Sequence, residues 1–363
     1  MNDIKVMNHA ADNIRILAAS MVEKANSGHP GGAMGGSDFI NVLFAEYLVY
    51  DPADPTWTGR DRFFLDPGHM SPMLYAGLAM RGFFSMEDLK QFRQWGSVTP
   101  GHPELDLERG IENSSGPLGQ GHALAAGAAV AEKFLEARLG STMMQHKIYA
   151  YISDGAVEEE ISQGVGRIAG NLGLNNLIMF FDANEIQLST ETSAVISEDT
   201  GMKYRAWNWN VLEIDGNDAG QIREALKAAN EETARPTLII GHCVMGKGCR
   251  KADILLLPEM ALPGYLIGDL WEQQSFLDDC EYYAQQIALH SKDICVMFGS
   301  VAVEAGKLNE DGRVRKYNAA FACAIASPGS AKKGAAPPKT GKTALKTFGL
   351  PLVPTTMFST STP

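Results

Sequence analysis

The chain has 363 residues, 45% hydrophobic and 20% charged, with 37 glycines and 17 prolines. Such a length allows two or three domains with a substantial core, and the composition excludes a collagenous, disulfide-stapled or wholly disordered protein. Its 31 basic and 43 acidic residues leave a net charge of −12, opposite to the excess expected of a nucleic-acid binder.

No run of 18 apolar residues predicts a membrane span, and no apolar segment follows a basic start, so neither a signal peptide nor a membrane partner is expected and the location is read as cytoplasmic. Helical periodicity covers about 8–26, with Ile14, Leu17, Ala18, Met21 and Val22 on one face. A second helix is expected over 37–48 with Ser37 as its N-cap, and an alanine-rich third over 118–138. From residue 147 the period alternates. KIYAYISD (147–154), NNLIMFFDAN (175–184), WNVLEID (209–215) and RPTLIIGHCV (235–244) read as strands, with helices over 158–173 and 219–232. Strand, helix, strand at this spacing predicts an α/β fold with a parallel sheet covered on both faces.

Composition changes along the chain. Residues 254–363 hold ten acidic and ten basic residues, so 1–253 carry the whole negative excess. From Ser327 to Pro363 there is no acidic residue, and 30 of the 37 residues are Ser, Pro, Gly, Ala, Lys or Thr. A segment so poor in apolar area is expected to be disordered. KTGKTALK (339–346) is not read as a phosphate-binding loop, because Ala336 stands where its first glycine belongs and no strand precedes it. The five cysteines, Cys243, Cys249, Cys280, Cys295 and Cys323, match no zinc spacing and are expected to be reduced.

Ligands of such a sheet bind at the carboxyl ends of its strands. Asp154 and Asn184 stand at two such ends, one crossover apart, so their oxygens can converge. Gly155 allows a sharp turn and close approach of a ligand, and the helix start that follows favours phosphate. A carboxylate, an amide oxygen and a backbone carbonyl near Ile186 suit a magnesium ion shared with a diphosphate. On spacing alone, Asp154 as a helix cap and Asn184 as a turn residue fits equally well.

The stretch DGAVEEEISQGVGRIAGNLGLNNLIMFFDANEIQLST (154–190) resembles the thiamine-diphosphate motif of transketolases. Four further blocks resemble the same family in the same order: NSGHPGGAMGGSDFINVLF (26–44), DRFFLDPGHMSPMLYAGL (61–78), PGHPELD (100–106) and SSGPLGQGHALAAGAAVAEK (114–133). The likeness covers roughly residues 5–252. It implies a three-layer helix–parallel sheet–helix fold that binds thiamine diphosphate over 1–253, followed by an unmatched segment over 254–326 and the low-complexity tail over 327–363.

The resemblance also implies roles. His29 and His102 would be catalytic, beside the thiazolium, bonding the hydroxyl and carbonyl oxygens of the sugar. His69 and Gly155 would contact the diphosphate, and Gly116 and Leu118 would hold the aminopyrimidine. Asp154, Asn184 and the Ile186 carbonyl would bind Mg²⁺ or Ca²⁺, and Glu159 would help fix the cofactor site at a dimer interface. Ketose and aldose phosphates would be the substrates, with the cofactor carrying a two-carbon unit between them. Histidine suits the proton transfers because its ordinary pKa of about 6.5 lies near working pH. His9, His122, His146, His242 and His290 carry no such support and stay unassigned.

The chain also departs from the family. Ser153 and Glu160 stand where most members have glycine. After GKGCRKAD (246–253) the family continues with Ser/Thr-His-Gly and Pro-Leu, whereas ILLLPEMALPGYLIGDLWEQQSF (254–276) follows here. His290 precedes Ser291 and does not fit that motif. The tail therefore reads as a shifted or misassembled frame, or as a divergent sequence. The family's pyrimidine domain is missing from these 363 residues, so a pyrimidine-domain partner chain in a homo- or hetero-oligomer is expected, with little turnover without it. The alternatives are a non-catalytic fragment and a related thiamine enzyme such as 1-deoxyxylulose-5-phosphate synthase.

Overall fold

The computed structural model describes residues 1–140, 145–187, 190–249, 254–256, 260–264, 268–290, 295–310, 312–324 and 346–348. Two compact units divide the chain, Met1–Cys249 and Arg250–Pro363.

Helix α1 (Ile4–Ala25) begins where the Asp3 carboxylate accepts the Lys5 N–H and ends where Asn26 turns left-handed at φ 48°. Its Met7, Ala11, Ile14, Ala18 and Met21 are buried at helical spacing, and Leu17 and Val22 pack partly against the same core. Two short helices follow, α2 (Pro30–Gly35) and α3 (Ser37–Val42), the latter running on into a wide helical turn over Leu43–Tyr47. Ser37 is therefore not an N-cap. Gly36 keeps helical dihedrals, so α2 leads directly into α3, and the Ser37 hydroxyl donates backward to the Ala33 carbonyl at 2.9 Å. The sequence hides α2 because Pro30-Gly31-Gly32 resembles a loop, although proline suits a first helical turn.

Strand β1 (Arg62–Leu65), α4 (Ser71–Ala79), α5 (Met86–Lys90) and α6 (Gln120–Leu139) come next. The alternating region contains β2 (Ile148–Ser153), α7 (Asp154–Glu158), α8 (Glu160–Leu172) and β3 (Leu177–Ala183). A small hairpin, β4 (Ile186–Gln187) with β5 (Thr190–Glu191), leads to α9 (Thr200–Ala206), β6 (Asn210–Asp215), α10 (Ala219–Glu231) and β7 (Thr237–His242). The helix expected over 158–173 is α8, and a further short helix, α7, precedes it, separated by Glu159 in extended dihedrals.

Five strands form one parallel sheet in the order β1-β2-β3-β7-β6. Alternate residues sort to its two faces. Tyr149, Tyr151, Ile178, Phe180 and Ile239 join the core beneath α1, α3, α4 and α10. Ile148, Ile152, Leu177, Met179, Phe181 and Leu238 join the core beneath α6, α8 and α9. Burial on both faces explains why these strands read as unbroken apolar runs.

The second unit has its own sheet, ordered β11-β10-β9-β8, from β8 (Ile254–Leu256), β9 (Cys295–Leu308), β10 (Val314–Ala324) and β11 (Lys346–Phe348), with helix α11 (Gln274–His290) between β8 and β9. Phe298 and Phe321 stack at 5.5 Å between ring centroids in its core, beside Ala284 and Ala288. The segment expected to be disordered, 327–363, lies outside the described residues except for β11, which pairs antiparallel with β10. Most of KTGKTALK also lies outside them. Among the described residues no helix is long and apolar enough to cross a membrane, and Cys243, Cys249 and Cys280 are free thiols.

Candidate active site

Asp154 and Asn184 lie at neighbouring strand ends. β2 and β3 pair in parallel with Ser153 opposite Asp182, which puts Asp154 and Asn184 side by side just past the carboxyl edge. The Asn184 backbone N–H donates to the Asp154 carboxylate. The Asn184 side-chain Oδ1 accepts the Ile186 N–H at 3.1 Å, so the loop after β3 closes on itself. Glu185 between them is left-handed at φ 63°, the conformation this tight return requires.

The histidines arrive from three loops. His29 precedes α2, His69 lies in a single turn over Gly68–Met70 after β1, and His102 lies in the long connection before α6. The rings of His29 and His69 meet edge to face, 5.2 Å between centroids. Gly68 allows the third to approach: a Cβ there would sit 2.7 Å from His102 Cδ2 and 2.9 Å from the Gly116 nitrogen. Gly116, at φ 149°, is itself in a conformation that favours glycine. Leu118 covers Gly155, its Cδ1 at 3.0 Å from where a Cβ would stand. Glu159 lies against Gly119, its Cβ 2.9 Å from where a Cβ on that glycine would stand.

All ten sequence-nominated residues, His29, His69, His102, Gly116, Leu118, Asp154, Gly155, Glu159, Asn184 and Ile186, line one cavity of about 930 Å³. Sequence reasoning missed Glu158, Gln187, Val195 and Met245 in the same wall. Met245 is positioned by backbone contact: the Gly246 N–H donates to the Gly31 carbonyl at 2.9 Å, bringing the loop after β7 over α2. The GKG of 246–248 was visible in the sequence, but nothing local linked it to Gly31. His9, His122, His146 and His242 do not line the cavity, and the His290 side chain lies outside the described residues. His122 is wholly buried in α6, and His146 pairs with Glu132 at 3.0 Å.

Burial sets the charge states. It raises Asp154 to about 7, and the neighbouring Asp182 carboxylate pushes in the same direction. It lowers His69 to about 4, helped by His29 and His102, and it lowers His102, helped by the Arg93 charge. Both His69 and His102 are therefore neutral at pH 7. Asp154 is 6% exposed, and its Oδ2 has no hydrogen-bond partner among the described residues. A buried acceptor without a donor, beside a second carboxylate, is an environment that a cation would relieve. Among the described residues no group of three or more His, Cys, Asp or Glu could hold a metal by itself. One carboxylate, one amide and one carbonyl fit instead an oxygen-preferring ion that completes its shell with phosphate oxygens.

Known proteins resemble this chain over the same residues. The family described as "Transketolase, thiamine diphosphate binding domain" matches residues 6–254. The chain belongs to the transketolase family. It is 44% identical to transketolase 2 of Escherichia coli (strain K12) over 243 residues, 66% of this chain and 36% of that protein. With transketolase 1 of the same organism the identity is 42% over 288 residues, 76% of this chain and 43% of that one. Among solved structures, transketolase from Leishmania mexicana superposes with a TM-score of 0.65 at 40% identity, covering 67% of this chain and 37% of the other. The chain thus spans about two fifths of the length of these transketolases.

Proposed function

We propose that the chain is the diphosphate-binding part of a transketolase, which takes up thiamine diphosphate through Mg²⁺ or Ca²⁺ and works with a pyrimidine-domain chain to move a two-carbon ketol unit from a ketose phosphate to an aldose phosphate. The observation that carries this reading is the convergence of the ten residues on one cavity around the partnerless Asp154 oxygen. When bound, the cofactor supplies the carbanion chemistry.

This chain's residues account for the rest. Asp154, Asn184 and the Ile186 carbonyl hold the cation. Gly155 leaves room for the diphosphate, and neutral His69 donates an N–H to it. Gly116 and Leu118 seat the pyrimidine ring. His29 and His102 orient the sugar's hydroxyl and carbonyl oxygens, and neutral His102 is able to accept a hydroxyl proton near pH 7. Groups positioned for such transfers typically contribute about 10²–10⁴-fold. Self-association is part of the same reading, because α6 and α8 leave an apolar face uncovered.

The test combines the chain with a separately produced transketolase pyrimidine-domain chain, thiamine diphosphate and Mg²⁺, using xylulose 5-phosphate and ribose 5-phosphate. Ketol transfer by the mixture, and by neither chain alone, is the expected result. Cofactor binding without transfer would mark a non-catalytic binder, and a different product would point to a related thiamine enzyme such as deoxyxylulose phosphate synthase.

A further inference from the structure

Behind the two proposed cation ligands lies a third polar side chain that the resemblance does not name. Asp182, near the end of β3, has no exposed surface and sits opposite Ser153 and two residues before Asn184. A carboxyl group so enclosed is costly unless its oxygens are bonded. The Tyr151 hydroxyl donates to Oδ2 at 2.7 Å. Burial pushes the Asp182 carboxyl above the ordinary carboxylate range, and the Tyr151 hydroxyl, the Cys243 thiol and the Asn184 amide, which face it, partly offset this. Even so, Oδ1 lacks a partner in hydrogen-bonding geometry among the described residues. The surrounding backbone makes room for this group. A Cβ at Gly36 would stand 2.2 Å from the Tyr151 hydroxyl, and one at Gly216 would stand 2.5 Å from Cys243 Sγ.

A side-chain amide has one end that accepts and one that donates. Only the accepting end can meet a cation; an amide turned the other way would aim two N–H groups at it. Asn184 uses Oδ1 toward the Ile186 N–H, on the loop side. A buried acceptor on the opposite side would remove the wrong orientation.

We propose that Asp182 is a positioning residue: its Oδ1, an acceptor without a partner among the described residues, takes an N–H of the Asn184 amide when a cation binds and thereby fixes the amide oxygen toward that cation. The inference rests on the assignment of Asp154 and Asn184 as cation ligands. It adds a residue that never touches the ion and sets which atom does. Supporting groups of this kind typically govern about 10–100-fold in metal affinity.

Mn²⁺ is the probe, added to the full chain with thiamine diphosphate, and free ion is read by electron paramagnetic resonance. Asp182→Asn keeps the shape but presents an N–H to Asn184, which turns the amide around. Its Mn²⁺ affinity is expected to fall by about 10–100-fold. The double variant Asp182→Asn/Asn184→Asp is expected to recover most of that loss, because the introduced carboxylate accepts from one side and still offers oxygen to the ion. A purely structural role would lower the thermal midpoint in both variants without this rescue. Wild-type affinity in folded Asp182→Asn, or no recovery in the double variant, would overturn the proposal while leaving the site assignment in place. Failure of the unaltered chain to bind Mn²⁺ with the cofactor would instead sink both. If Asp182→Asn does not fold, the unaltered chain still decides. Its Asn184 side-chain amide protons should be protected from solvent exchange once Mg²⁺ and cofactor are present, and free exchange would contradict the proposal.

Discussion

Asp154 and His69 are displaced from ordinary ionisation in opposite senses by the same cause, burial. Folded Asp154, at about 7, keeps a proton that the unfolded chain releases near pH 4, so its effect on the metal-free fold worsens as pH rises from about 4 to 7. Folded His69, at about 4, gives up a proton that the unfolded chain holds to about 6.5, so its contribution is present above that pH and lost as pH falls to about 4. The two trends oppose each other over one window, and a substitution separates them. Without metal, Asp154→Asn is expected to raise the calorimetric midpoint near pH 8 and to leave it nearly unchanged near about pH 4.5. Equal shifts at both pH values would contradict the assigned ionisation. Of the site residues, Asp154, Gly155, Asn184 and the carbonyl near Ile186 were legible from position in the strand pattern. His29, His69 and His102 come together through loops, which carry no periodic signal, and their nomination needed the family blocks.

Helix α8 was legible as a helix, but not which way it faces. It buries Ser162, Gly166, Ala169 and Gly170 and leaves Ile161, Ile168 and Leu172 46%, 57% and 54% exposed. Its neighbour α6 exposes Leu124, Phe134 and Leu135 beside it. Gly127 and Gly164, within these helices, have no atom within 4 Å of where a Cβ would be. A glycine costs about 1 kcal/mol relative to alanine in a helix, and no described residue outside the local helix backbone comes close enough to require it here. Close approach of a second copy's helix would require it, and apolar patches of this extent mark association surfaces. Sedimentation should therefore find a dimer, which Ile168→Glu shifts toward monomer. A monomeric unaltered chain at micromolar concentration would argue against this face. Two of the elements that escaped the sequence reading, β1 with four residues and α2 with six, are too short to establish a period.

At the scale of the whole molecule, the layers were readable because burial on both faces makes strands plainly apolar. The order β1-β2-β3-β7-β6 was not, since it depends on which strand ends pair across the sheet. Phe180 shows how tightly this centre is packed: it stacks on Phe39 at 3.9 Å between centroids, and a Cβ at Gly241 would fall 2.2 Å from its ring. Phe180→Ala should cost about 3–5 kcal/mol in urea unfolding, and a loss below about 1 kcal/mol would contradict the packing described. The packed centre holds the ends of β2 and β3 rigidly, and the proposed chemistry depends on those ends. Calorimetric titration of the chain with thiamine diphosphate, with and without Mg²⁺, tests that claim most directly. The expected result is Mg²⁺-dependent binding that Asp154→Ala abolishes; equal affinity in Asp154→Ala, or binding indifferent to Mg²⁺, would contradict it.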